Sequence, residues 1–124
     1  MIRFRLGAAA LLSAALIAPA SAQPLGQVIQ VWSYGFAPNP IHLAAGRPVT
    51  LIFQNRSGSS HDFVARTFFA NARVISGHVM GGMVDLRGGE TKRVTLIPRA
   101  GTYKAHCSHF MHDFLGMKDT IVVS

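Results

Sequence analysis

Cysteine is nearly absent from this chain: Cys107 is the one thiol in 124 residues. No disulfide can form within the chain, which excludes the small folds that depend on disulfide staples. Acid is scarce as well, with 5 Asp and Glu against 12 Lys and Arg and a formal net charge of +7. Among so few carboxylates there is no convincing pair for acid–base work and no Ser-His-Asp set, so an enzyme is not expected. Long apolar runs are missing too. Leu6 to Ile17 is the longest, and it falls short of the roughly 20 residues a spanning helix needs. Internal repeats, low-complexity tracts and linkers are not seen.

The apolar run has a different explanation. Arg3 and Arg5 precede it, and Ala20-Ser21-Ala22 follows as an A-x-A cleavage site before Gln23. That is the layout of a secretory signal peptide. Residues 1–22 are therefore read as a leader and 23–124 as one domain, soluble, monomeric and periplasmic, of 102 residues (124 − 22). Loss of the two leader arginines leaves a formal charge of +5 (7 − 2). Arg47, Arg56, Arg66, Arg73, Arg87 and Arg99 are scattered singly. This argues against nucleic acid and favours acidic partners or anionic surfaces.

What the mature segment does contain is a series of short apolar alternations. Val49, Leu51 and Phe53 alternate with Thr50, Ile52 and Gln54, and Val94 and Leu96 with Arg93 and Thr95. Gln27 to Tyr34, His61 to Ala65, Tyr103 to Cys107 and Asp119 to Val123 read as further strands. Phe36 to Pro40 reads as a turn, 55–60 as a loop, 68–74 as a turn or irregular crossing, and 76–86 as a strand broken by Gly77, Gly81 and Gly82. Many short strands with Gly and Pro between them, and no long amphipathic helix, argue for an all-β sandwich.

The chemistry concentrates between His106 and Met117, where one thiol, three imidazoles and two thioethers share twelve positions. These donors suit a soft or borderline metal, and Cys with His and a weak thioether suits copper. Strand alternation puts Tyr103, Ala105 and Cys107 on the inner face and His106 on the outer one, so His106 is not expected to bind. His112 and Met117 each follow the previous donor by five residues, with Gly116 giving freedom before Met117. His109 competes with His112, but Cys-x-His makes a strained chelate and pulls Phe110 from the core. The remaining imidazole must come from His42, His61 or His78. His61 opens a strand just after a polar loop, where a ligand at one end of a sandwich belongs. His42 reads as solvent-facing. His78, with Met80 and Met83 nearby, is a candidate for a second Cu(I) site or plain surface.

At these residues the chain resembles the cupredoxins, the small blue-copper proteins. Cys107-x4-His112-x4-Met117 looks like the family's ligand loop in its rusticyanin-like spacing. Gly101-x-Tyr103-x3-Cys107 looks like the entry to that loop, and Asn55 to His61 like the strand that delivers the first histidine. The resemblance implies a Greek-key β-sandwich, with His61, Cys107 and His112 in a trigonal plane around one type 1 copper ion and Met117 as the axial contact. It implies outer-sphere transfer of single electrons between redox partner proteins. A copper chaperone or copper-tolerance protein using the same site is the alternative. One position departs from the familiar members: Asp62 follows the first histidine where Asn or Ser is usual. There it could still tie the ligand loops together by accepting a hydrogen bond from Ser108 or a backbone amide.

Overall fold

The computed structural model describes residues 2, 7–14, 23–109 and 116–124. Among the described residues, ten strands form two five-stranded sheets, and one short helix completes the set. The first sheet holds β2 (Gly35–Ala37), β1 (Leu25–Trp32), β4 (Val49–Asn55), β8 (Thr91–Ile97) and β6 (Arg73–Ser76), in that order. The second holds β3 (Ile41–Leu43), β10 (Lys118–Val123), β9 (Gly101–His106), β5 (His61–Val64) and β7 (Met83–Leu86). Both sheets are mixed: β1 runs parallel to β4 and β10 parallel to β3, while the other pairs are antiparallel. Among the described strands, β1–β2 and β9–β10 are joined within a sheet, and every other connection crosses between sheets. Such crossings let sequence neighbours clamp the two layers on one core.

Alternation decides which side chains fill that core. In β4, Val49, Leu51, Phe53 and Asn55 are buried and the residues between them are half-buried. Thr50 and Thr95, on the other face, share a hydroxyl hydrogen bond of 2.8 Å across the β4–β8 pair. In β1 the buried residues are Ile29 and Val31, while Val28 is 38 % exposed, so inward parity runs through Ile29 and not through Val28. Phe63 is the hub of an aromatic cluster, with ring centroids 5.0 Å from Phe53, 5.3 Å from Phe36 and 6.3 Å from Phe69. The Phe36 and Phe69 pairs are edge-on, and such packing adds to the area the rings bury.

Three local expectations change. Phe36 does not open a turn; Gly35–Ala37 pairs antiparallel with β1, and the reversal sits one step earlier, where Tyr34 takes φ +69°. Burial of Phe36 against Phe63 pulls that segment into the sheet. Residues 66–71 form a helix, α1 (Arg66–Asn71). A helix this short is not stable by itself, and α1 is held by Phe68 and Phe69, both buried in the core. The segment 76–86 is not one broken strand. β6 ends at Ser76 in one sheet and β7 begins at Met83 in the other, with Gly77, Gly81 and Gly82 at positive φ in the crossing.

Of the proposed leader, residues 7–14 have no regular structure and are exposed, while Arg3, Arg5 and the Ala20-Ser21-Ala22 cleavage site lie outside the described residues. No helix among the described residues is long and apolar enough to cross a membrane.

Candidate metal centre

One strand's parity and one strand pairing bring Cys107 and His61 together. β9 carries Tyr103 and Ala105 inward, so Cys107, one residue past its end, keeps the same inward parity and is fully buried. β5 lies antiparallel to β9 with Val64 opposite His106. Continuing that register puts Phe63 beside Cys107, Asp62 beside Ser108 and His61 beside His109. His61 and Cys107 are then diagonal neighbours on the inward face. The Sγ of Cys107 lies 3.9 Å from Nδ1 of His61, and both residues are buried.

The far end of the loop is tied back to its start. The backbone N–H of Cys107 donates to the carbonyl of Met117 at 3.1 Å. Gly116 takes φ +92°, a conformation that favours glycine, and its carbonyl accepts from the N–H of Lys118 at 2.8 Å as β10 begins. Met117 is fully buried in the same core cluster as Cys107. His112, the third loop ligand of the sequence reading, lies outside the described residues, as do Phe110, Met111, Phe114 and Leu115.

Asp62 joins the two ligand-bearing segments. One carboxylate oxygen accepts the backbone N–H of Ser108 at 2.6 Å, and the other accepts the Ser108 hydroxyl. Asp62 is 2 % exposed while Ser108 lies at the surface, so both bonds are part-buried, and to a carboxylate such bonds are charge-assisted. The departure from Asn or Ser at this position therefore keeps the tie.

Behind β5, Asn55 organises the loop that leads to His61. Its amide donates to the carbonyls of Ser59 at 2.8 Å and Arg87 at 2.9 Å, and its oxygen accepts from the N–H and hydroxyl of Ser57 at 3.0 and 2.7 Å. The sequence reading placed Asn55 only at the edge of a loop. Its parity with Val49, Leu51 and Phe53 was the available signal that it points inward. Asp119 was missed in the same way, although it shares the parity of Ile121 and Val123. It is 4 % exposed, and burial pushes its carboxyl up to about 6.

The other histidines separate clearly. His42 is exposed in β3, opposite Val122. His106 is half-buried on the outer face, and His78 is exposed. His109 is near the centre: Asp62, Cys107 and His109 each place a ligand atom within 4.8 Å of the others. Its Nε2 is 3.9 Å from the Asp62 carboxylate, and its ring centroid is 6.2 Å from that of His61.

Burial raises the pKa of the Cys107 thiol, while the backbone N–H groups of Asp62 and His109 act to lower it. The nearby Asp62 carboxylate adds to the rise. The thiol therefore keeps its proton until a cation replaces it. The spacing fits such a cation. Metal bonds of about 2.0 Å to nitrogen and 2.3 Å to sulfur, meeting near 120°, span about 3.7 Å between donors. A thiol, an imidazole nitrogen and a buried Met117 suit copper better than a hard ion.

The fold has counterparts among known proteins. A sequence search of curated proteins finds no match. Among solved structures, auracyanin B superposes with TM-score 0.60 at 22 % identity, covering 83 % of this chain and 91 % of that one. Auracyanin A, described as a "blue" copper protein from Chloroflexus aurantiacus, gives TM-score 0.55 at 21 % identity over 80 % of this chain and 99 % of that one. A multicopper oxidase from Campylobacter jejuni gives TM-score 0.63 at 16 % identity over 86 % of this chain but only 31 % of that enzyme. The fold is thus shared by small copper proteins and by parts of larger oxidases. The cupredoxin-like domain family matches residues 5–123, nearly the whole sequence, and the chain belongs to that family.

Proposed function

We propose that the protein is an exported, mononuclear type 1 copper protein that carries single electrons, with His61, Cys107 and His112 as the close ligands and Met117 as the axial one. The observation that carries the reading is the buried Cys107 thiol 3.9 Å from His61 Nδ1, with Met117 returned to it by a backbone hydrogen bond. Copper bound there supplies a one-electron couple. The chain's contribution is to fix the donors and keep water away. Asp62 holds Ser108, and thereby the start of the ligand loop, against β5. The N–H groups of Asp62 and His109 face the sulfur and stabilise its negative charge. Burial of His61, Cys107 and Met117 lets the two segments change little between states, which limits reorganisation.

The reading extends to place and partners. The proposed leader, residues 1–22, directs the chain to the periplasm, where it acts as a monomer with redox proteins bearing acidic docking surfaces, matched to its basic charge. Addition of Cu(II) to the purified protein is expected to give an intense thiolate-to-copper absorption band. The band should vanish in Cys107→Ser and in His112→Ala. Stoichiometric copper without that band would sink the reading, and loss of the band with His109→Ala but not with His112→Ala would reassign the third ligand.

A further inference from the structure

The crossing between β6 and β7 carries His78, Met80 and Met83, three soft donors that take no part in the Cys107 centre. Met80 and Met83 exchange both backbone hydrogen bonds, each 3.1 Å, around Gly81 and Gly82 at φ +61° and +74°. That is a two-residue hairpin with both central residues left-handed, the geometry of a type I′ turn. Residues that exchange both bonds stand about 5.5 Å apart at Cα and send their side chains to one face.

The neighbours decide which face. Val84 is 1 % exposed and Val79 packs against the core, so Met83 and Met80 point away from it. His78, two residues before Met80, is exposed on the same parity. Core packing does not account for Met80, which is 65 % exposed, and Met83 is half-buried on the same outward face. Both thioethers are flexible enough to converge from a hairpin pair. Met83 lies opposite Val64, while Leu86, three residues on, lies opposite His61. The hairpin is thus displaced from His61 by about 10 Å along the strand, at roughly 3.3 Å per residue, and β5 lies between it and the strand that leads to Cys107.

We propose that Met80 and Met83, joined by His78, form a second metal site, selective for Cu(I) and open to solvent. Two neutral thioethers and an imidazole suit a soft, monovalent ion of low coordination number. They offer neither a carboxylate nor a thiolate for harder divalent ions. The site goes beyond the electron-carrier reading and shares no ligand with it.

The test is an anaerobic titration of purified apoprotein with Cu(I) against a chromogenic Cu(I) chelator. The native protein should bind about two ions, and Met80→Leu/Met83→Leu about one. Leucine keeps the size of both side chains, Met80 exposed and Met83 half-buried, so the fold and the Cu(II)–thiolate band should be unchanged. In Cys107→Ser, Ag(I) as a redox-inert probe should shift the methyl resonances of Met80 and Met83. No such shift, or equal Cu(I) uptake by the native and double-leucine proteins, overturns the proposal. So does loss of the Cu(II)–thiolate band in the double-leucine protein. Absence of that band from the native protein would instead remove the electron-carrier reading and leave the hairpin site standing.

Discussion

Replacing Asp62 by Ala tests the tie between the ligand segments without any metal. The Asp62 carboxylate accepts two hydrogen bonds from Ser108, and the residue is 2 % exposed. A hydrogen bond to a charged group contributes about 1.5–3 kcal/mol, so the gross loss is about 3–6 kcal/mol. Part is regained because an ionised carboxylate no longer has to be held away from water. A net loss of about 3 kcal/mol is expected for Asp62→Ala, a large share of the 5–15 kcal/mol typical of a domain. For a domain of about 100 residues this lowers Tm by roughly 12–24 °C. Asp62→Asn should lose much less, about 1 kcal/mol, because an amide can accept from the N–H and donate to the hydroxyl. Urea unfolding of the apoproteins, with m-values compared to verify a common two-state transition, reads these differences. If Asp62→Ala lies within about 0.5 kcal/mol of the native protein, the carboxylate is not holding the segments together. Equal losses for Ala and Asn would also refute the argument, since they would make charge, and not the pair of bonds, responsible.

Two further outcomes follow from buried polar groups. Asn55→Ala removes the amide that joins Ser57, Ser59 and Arg87. A loss of about 2–3 kcal/mol in denaturant unfolding is expected, from polar groups left without partners. Amide hydrogen exchange in 56–60 should speed up along with it, whereas unchanged exchange there would show that the loop holds itself. Asp119 gives a pH dependence of the apoprotein. One of its oxygens accepts from the N–H of Thr120 at 2.6 Å, the other has no hydrogen-bond partner among the described residues, and burial raises the carboxyl from 3.8 to about 6. A raised carboxyl pKa means that the folded state holds the proton more tightly than the unfolded one. Stability is therefore lost as pH rises from about 4 to 6, and the penalty is complete above that. At 1.36 kcal/mol per unit it reaches up to about 3 kcal/mol. Asp119→Asn should be more stable than the native protein at pH 7–8 and close to it below pH 4. Thermal melts across that range showing a constant difference would contradict the assignment.

The sequence alone was enough for the fold class and for where the soft donor types concentrate. Period-two alternation is a local property: side chains of β4, β8 and β9 face inward or outward whatever the partner strand. The sandwich and the inward position of Cys107 could therefore be read directly. The donor types in the segment 106–117 likewise declare soft-metal chemistry from composition. Neighbouring strands could not be read in this way, because pairing joins residues far apart in the chain. That β5 lies against β9 in the register that sets Asp62 beside Ser108, and His61 diagonal to Cys107, is decided by the tertiary pairing. Burial of Asn55 and Asp119 belongs to the same class: their parity is local, but whether a polar residue of inward parity stays wet depends on what the opposite sheet places over it. The outward pairing of Met80 with Met83 likewise needed the two reciprocal backbone bonds. In this protein sequence determines which face and which chemistry, and tertiary structure determines which residues meet, because faces are set by one strand and meetings by two.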